Sequence, residues 1–335
     1  MRILIPLVAT LILAAIAYGG AQAGLYGIFG VAIPYLAFVV FVLGFSYKII
    51  AWAKVPVPFA IQTTCGQGKS LDWIKNNELE APSSRLGVVL RMALEVLLFR
   101  SLFRNTMATL QTKEGEATPE LTYESDKSLW LFGLIFHWSF LLIFLRHYRF
   151  FLEPVPFFVP ALEAIDGMMQ ITLPAFYLTD LLILLGVTAL FVRRVISPKM
   201  RFLSLPADYF PLILIGAIAL TGMGMRYHAK VDIAKVKTHI QGLMTFNPGA
   251  TDMQIGAIFY VHLFLVCVLA MYFPFSKLMH MGGVFFSPTR NMRNDSRARR
   301  HINPWNPEIK IRTYAAYEDD FRDKMRAAGL PLDKE

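Results

Sequence analysis

Cysteine is scarce in this chain, which has only Cys65 and Cys267 among its 335 residues. An iron–sulfur cluster is held by about four cysteine thiolates, so this chain cannot hold one alone. No Cys-x-x-Cys-His motif occurs, which excludes covalently attached c-type haem. We expect Cys267 to be a small apolar helix residue and Cys65 to be a reduced thiol in a cytoplasmic loop.

Charged residues are also few, at 17% of the chain, whereas a soluble domain has about a quarter. Hydrophobic residues make up 55% and gather in continuous runs, which favour membrane helices over a β-barrel. A spanning helix needs about 20 mostly apolar residues. The candidate spans are 3–19, 25–52, 129–152, 171–194, 209–226 and 254–279.

The spans divide the chain into four predicted parts. These are two N-terminal transmembrane helices in 1–53, a cytoplasmic loop with an interfacial helix in 54–128, a four-helix domain in 129–280 and a partner-docking tail in 281–335. The first span could alternatively be a cleaved signal peptide, which would leave five spans. The loop contains an apolar run whose charges, Arg91, Glu95 and Arg100, are expected to be spread around a helix.

The net charge of +9 could suggest nucleic-acid binding, but the positive charge follows membrane topology. The tail is rich in arginine, which places it in the cytoplasm by the positive-inside rule. Six spans then place the N-terminus in the cytoplasm as well, although the basic 226–253 loop must lie outside. The sequence predicts a multi-pass protein of the cytoplasmic (inner) membrane.

Four histidines lie in two of the predicted spans. His137 and His147 are ten residues apart, and His262 and His280 are eighteen apart. An imidazole in hydrocarbon is costly without a partner. Because three connections separate the two helices, they run antiparallel, which pairs His147 with His262 towards the outside and His137 with His280 towards the inside. The spacings correspond to about 15 Å and 27 Å of helix, an inequality that a kink at Pro274 would partly absorb.

Two imidazoles fill both axial positions of a haem iron, which leaves the haem to electron transfer. The sequence therefore predicts an all-α membrane protein, a haem-binding bundle of about six transmembrane helices, with two bis-histidine haems. The alternative is a haem-free membrane anchor or transporter whose histidines relay protons.

Arginines near the ends of the spans are candidate partners for haem propionates. Arg146 and Arg149 suit the outer haem, and Arg193 and Arg194 suit the inner one. The alternative is that these arginines only anchor the helices at the membrane surfaces.

The spacing of the two histidine pairs resembles that of the nitrate reductase gamma subunit family over about 125–282. The flanking segments resemble the DsrM family, cytochrome b subunits of the DsrMKJOP complex of sulfate reducers, also described as Hdr-like menaquinol oxidoreductases. These segments are Thr63-Thr64-Cys65-Gly66-Gln67, Asp72-Trp73-Ile74-Lys75, Phe285-Phe286-Ser287-Pro288-Thr289-Arg290 and Asn303-Pro304-Trp305-Asn306-Pro307. The resemblance implies haem b, menaquinol as donor, and a cytoplasmic iron–sulfur partner resembling heterodisulfide reductase (DsrK-like) with other DsrMKJOP subunits.

The hypothesis is a menaquinol oxidoreductase subunit that passes electrons across the membrane to that partner in sulfate or sulfite respiration. Quinol oxidation needs a proton acceptor, for which His228 and His239 in the outer loop are candidates; the alternative is that either is a surface residue without this role. Reversed flow, with the protein reducing quinone, and a gamma-type subunit of another respiratory reductase remain alternatives.

Overall fold

The computed structural model describes residues 2–55, 69, 73, 75–112, 118–167, 176–250, 253–288, 290–295, 308 and 310–334. In this part of the chain the protein is mainly helical, and its strands form one antiparallel hairpin, β1 Thr106–Gln111 and β2 Glu120–Ser125, with Thr106 opposite Ser125. The all-α membrane class predicted from the sequence is confirmed. Cys65 lies outside the described residues.

The helices follow the order of the chain. They are α1 Leu4–Gln22, α2 Ile33–Ala53, α3 Arg85–Leu98, α4 Arg100–Phe103, α5 Lys127–Arg146, α6 Tyr148–Phe151, α7 Phe158–Asp166, α8 Leu178–Ile196, α9 Pro198–Leu203, α10 Pro206–Met223, α11 Ile233–Met244, α12 Ala257–Tyr272, α13 His280–Gly283 and α14 Tyr314–Ala327. Turns of π-helix, Ile28–Ala32 and Gly224–Ala229, precede α2 and follow α10.

Five helical segments of the described chain are long and apolar enough to cross a membrane. They are Leu4–Gln22, Ile28–Ala53, Lys127–Phe151, Pro206–Ala229 and Ala257–Phe275. The remaining predicted span, 171–194, corresponds in its described part to α8, which has 19 residues but carries Asp180, Arg193 and Arg194. Helix α8 nevertheless packs along both α5 and α10, so it belongs to the same bundle.

Helices α5, α8, α10 and α12 pack one against the next, and α1 and α2 cover α12. Gly186 lets α8 approach the backbone of α5 closely, because a Cβ there would lie 3.0 Å from the Cα and N atoms of Phe136 in α5. Phe136 precedes His137 in the chain, so this contact holds the α5 backbone against α8 at the position of that histidine. Helices α5 and α12 are the first and last of this series, and the series curves so that they face each other across their histidines.

The segment that follows α12 is not a continuous helix. Helix α12 ends at Tyr272, and a 3-10 turn, Phe273–Phe275, contains Pro274. Ser276 is extended, and its hydroxyl caps a second 3-10 turn, Lys277–Met279. The rise of about 27 Å for eighteen helical residues therefore does not apply between the two histidines.

The apolar run in the 54–128 loop forms a helical hairpin, α3 and α4, which turns at Phe99 in the left-handed conformation (φ 49°). The prediction that its charges are spread around the helix was wrong. Arg91 and Glu95 are one turn apart and both point towards the protein, with Arg91 only 5% exposed.

Candidate functional site

The structure brings together the two pairs of histidines that chain direction had predicted. His147, the C-cap of α5, faces His262 in α12, with ring centroids 6.5 Å apart and planes 11° apart. His137 in α5 faces His280 at the start of α13, with centroids 5.9 Å apart and planes 84° apart. The turns after α12 allow the second contact, because they bring His280 back to the depth of His137. Their role as iron ligands stays a prediction.

Each of the four rings is hydrogen-bonded through Nδ1 to a backbone carbonyl. The acceptors are Gly133 O for His137 at 2.7 Å, Ile143 O for His147 at 2.7 Å, Ile218 O for His262 at 3.1 Å and Lys277 O for His280 at 2.8 Å. A carbonyl oxygen only accepts, so Nδ1 carries the proton and Nε2 keeps its lone pair. This is the state in which histidine binds a metal, with the second N–H held by the protein.

The ring separations fit a shared iron. A metal–imidazole bond is about 2 Å long, so two imidazoles on one ion have centroids roughly 6 Å apart. The angle between the ring planes is free, because rotation about the nitrogen–metal axis leaves the distance unchanged. Within the described residues, no three His, Cys, Asp or Glu side chains gather into a metal-binding group, whereas a haem needs only two protein ligands.

A glycine borders the outer pair. A Cβ at Gly222 in α10 would lie 3.2 Å from Cε1 of His262, closer than ordinary van der Waals contact. The hydroxyl of Thr221 is also 3.0 Å from Nδ1 of His262. Helix α10 therefore sets the orientation of this ring from the side opposite α5.

Two phenylalanines contact His137, one member of the inner pair. The rings of Phe99 and Phe136 both lie 4.9 Å from that of His137, in edge-to-face contact. Phe99 is the turn of the α3–α4 hairpin, so part of the predicted cytoplasmic loop reaches the inner histidines. His280 remains exposed on the side of the tail.

The candidate outer propionate partners are already paired with carboxylates. Arg146 is 8% exposed and contacts Asp166 at 2.7 Å and Asp180 at 3.2 Å. Its guanidinium also stacks 3.9 Å from the ring centroid of Tyr177, and its Nε makes no hydrogen bond. Sequence reasoning missed the two aspartates, although an ionisable residue within an apolar run, such as Asp180, is a signal of function.

The other three arginines also have partners. Arg149 pairs with Glu163 at 2.5 Å. Arg193 pairs with Asp126 at 2.5 Å, and Arg194 donates to the hydroxyl of Ser204 at 3.1 Å. The outer and inner arginines thus lie at opposite ends of the bundle, as predicted, and their role towards propionates stays a prediction.

The two candidate proton acceptors differ in environment. His228 is exposed in the π-turn that follows α10, six residues beyond Gly222. His239 lies in α11, is fully buried, and bonds through Nε2 to Gly30 O at 3.0 Å. His239 is therefore part of the packing between α11, α2 and α12 rather than a loop residue.

His239 makes the stability of the fold depend on pH. Burial lowers its pKa below the usual 6.5, against a smaller opposing effect of the hydrogen bond with Gly30. The unfolded chain then binds a proton more readily, so the free energy of unfolding decreases as pH falls through 6.5 towards the folded pKa. Because His239→Gln removes the titrating group, we expect its free energy of unfolding to fall less steeply with decreasing pH than that of the wild type. The difference in slope should be up to about 1.4 kcal/mol per pH unit. Thermal unfolding of both proteins in detergent from pH 8 to 5 measures this difference. Equal slopes of unfolding free energy against pH would rule out a contribution from His239.

Facing histidine pairs between the ends of apolar helices of one bundle are the arrangement of a membrane redox subunit of the cytochrome b type. The chain belongs to the nitrate reductase gamma subunit family, whose model matches residues 86–299.

Three relatives narrow the comparison. An Hdr-like menaquinol oxidoreductase cytochrome b-like subunit of Archaeoglobus fulgidus is 46% identical over 84% of each chain. The protein of the same description in Archaeoglobus profundus is 38% identical over 84% of each chain. The respiratory nitrate reductase 1 gamma chain of Escherichia coli is 30% identical over 47% of this chain and 73% of its own.

Proposed function

We propose that the protein is the dihaem b subunit of a menaquinol oxidoreductase, with His147 and His262 as axial ligands of an outer haem and His137 and His280 as ligands of an inner one. The observation that carries this proposal is the pair of facing imidazole contacts with every Nδ1 bonded to a carbonyl. When bound, the haems would carry single electrons between the two faces of the membrane.

The menaquinol substrate is carried over from the description of the two Archaeoglobus relatives, which cover 84% of the chain. We place the substrate near the outer pair, beside the 226–253 segment. His228 is the better placed candidate to accept a quinol proton, because its ring is exposed whereas that of His239 is enclosed. Released protons would leave on the outer face.

The arginines would hold the propionates in addition to their present partners. Arg146 and Arg149 lie at the outer pair, and the Nε of Arg146 is still available for a hydrogen bond. Arg193 and Arg194 lie at the other end of the bundle, the side of Asp126 and Ser204. A propionate would share these guanidiniums with the existing carboxylate and hydroxyl groups.

The partner would be a cytoplasmic iron–sulfur subunit resembling heterodisulfide reductase, as in DsrM-type complexes of sulfate or sulfite respiration. The loop and the tail meet near the inner pair, since the Asn294 amide donates to Pro82 O at 2.7 Å and Arg290 contacts Glu95 at 3.2 Å. With both termini in the cytoplasm of the cell, this combined surface faces the partner and lies beside the exposed His280.

Reduction by a menaquinol analogue tests the assignment. We expect the analogue to reduce the b-type absorbance of the purified protein, because the proposed substrate site adjoins the outer pair. A titration followed at the α-band measures it, with a ubiquinol analogue as the control for quinone class. If the analogue reduces none of the absorbance, the assignment of menaquinol as donor is wrong. A b-type spectrum without reduction by the analogue would still support the haems, and it would favour the alternative in which the protein reduces quinone.

A further inference from the structure

The α3–α4 hairpin, Arg85 to Phe103, carries a surface that the proposed function does not use. We propose that this hairpin is a re-entrant element whose outer face is inserted among lipid acyl chains, in the leaflet nearer the His137–His280 pair. The sequence predicts an interfacial helix within a cytoplasmic loop here, whereas the proposed element is inserted into the hydrocarbon layer.

The polarity of α3 is reversed relative to a helix on a protein in water. Its outward face is apolar, with Leu86 69%, Val89 62% and Leu90 52% exposed. The same face continues about two turns later at Val96, 40% exposed, and Leu97, 49% exposed. A helix at an aqueous surface places such a stripe against the core and its charges outside, so the surroundings of α3 are apolar.

Three of the hairpin's charges, Arg91, Glu95 and Arg100, point inwards and are paired, whereas Arg85 in the first turn of α3 is exposed. Arg91 donates to the backbone oxygen of Glu80, and Arg100 contacts the Glu80 carboxylate at 2.6 Å. Glu95 accepts from the Ser101 hydroxyl at 2.7 Å and contacts Arg290 at 3.2 Å. Pairing of these three charges within the protein is what insertion into hydrocarbon requires, and Arg85 lies at the end of the helix away from the tip.

The C-terminal carbonyls of α3 are bonded to a spanning helix. The indole N–H of Trp130 donates to Leu98 O at 2.8 Å, and that of Trp138 donates to Leu97 O at 3.0 Å. In water, such helix-end carbonyls need no protein partner, but in hydrocarbon they do. Trp138 is eleven residues along α5 from Lys127, or about 16 Å. The tip of the hairpin therefore lies well inside a hydrocarbon layer about 30 Å thick.

Lipid is the occupant that the neighbouring surface favours. Leu131 and Leu141 lie on the same sector of α5 as the two tryptophans at 3.6 residues per turn, and they are 44% and 42% exposed. The apolar face of α3 thus continues the lipid-facing surface of a membrane span. The insertion holds Phe99 against His137 from the side of the loop.

Spin labels at cysteine variants of the full-length protein in lipid nanodiscs test the insertion, with Cys65 and Cys267 replaced by serine and alanine. We expect labels at Leu90→Cys and Val89→Cys to collide with oxygen more than with a water-soluble nickel chelate, as at the lipid-facing control Leu141→Cys. The aqueous control is Tyr123→Cys, whose side chain in β2 is 67% exposed.

Two results would overturn the proposal. A label at Leu90 that is as accessible to the nickel chelate as the label at Tyr123 would place α3 in water. A label shielded from both probes in the assembled complex would assign the face to a partner subunit. Two adjacent sites are used so that one poorly folded variant does not decide the outcome.

Discussion

Replacing His262 with alanine is expected to reduce the haem b content from two per chain to one. The outer pair loses one of its two proposed axial ligands. The inner pair does not include His262, so His137 and His280 keep their ring centroids 5.9 Å apart. Pyridine haemochrome absorbance per purified chain measures the content. Because the haems are separate, the remaining spectrum should be that of the inner site alone.

His228→Ala is the matched control for this experiment. His228 is on the same side of the bundle but is exposed and belongs to neither pair, so the variant should retain both haems. An unchanged haem content in His262→Ala would contradict the pairing. Complete loss of haem from a chain that still unfolds cooperatively would contradict the independence of the two sites.

Replacing His137 with alanine is expected to separate the two halves of the electron path. A menaquinol analogue should still reduce the remaining b-type absorbance, because His147 and His262 are unaffected. Transfer from the analogue to the cytoplasmic partner should fall to background, since the inner site connects the outer pair to the exposed side of His280. Stopped-flow absorbance of the purified complex measures both steps in one experiment.

His147→Ala provides the contrast, because it should block reduction by the analogue as well as transfer to the partner. Wild-type rates of transfer in His137→Ala would show that the inner pair is not on the path. Equal loss of both steps in His137→Ala would show that the two pairs do not act in the proposed order.

The meeting of His147 with His262, and of His137 with His280, could be predicted from the sequence alone. Continuous apolar runs define where helices lie, and the number of connections between two helices determines whether they run parallel or antiparallel. The position of an apolar run and the number of connections between two helices can both be read from the sequence, and neither depends on how side chains pack. The family resemblance rested on the same four positions.

The break after α12 was only partly predictable. Pro274 indicates a kink, but the extended Ser276 and the two 3-10 turns around it depend on packing against α2. The pairing of Arg146 with Asp166 and Asp180 was not predictable, because contacts twenty or more residues apart follow from the packed bundle and not from spacing.

The reversed polarity of α3 was present in the sequence, since Arg91 and Glu95 are four residues apart and therefore share a face. What the sequence could not show is which face is turned to the protein. A helix in water would turn this charged face outwards, and only the pairing with Glu80 and Arg290 reveals the opposite orientation.

The central claim is that each facing pair of histidines binds one haem iron through both rings. Electron paramagnetic resonance of the oxidised, purified full-length protein tests it most directly, because bis-imidazole ferric haem is low-spin. The account predicts two low-spin ferric signals, each integrating to about one spin per chain. A high-spin haem signal, or no ferric haem signal at all, would contradict it.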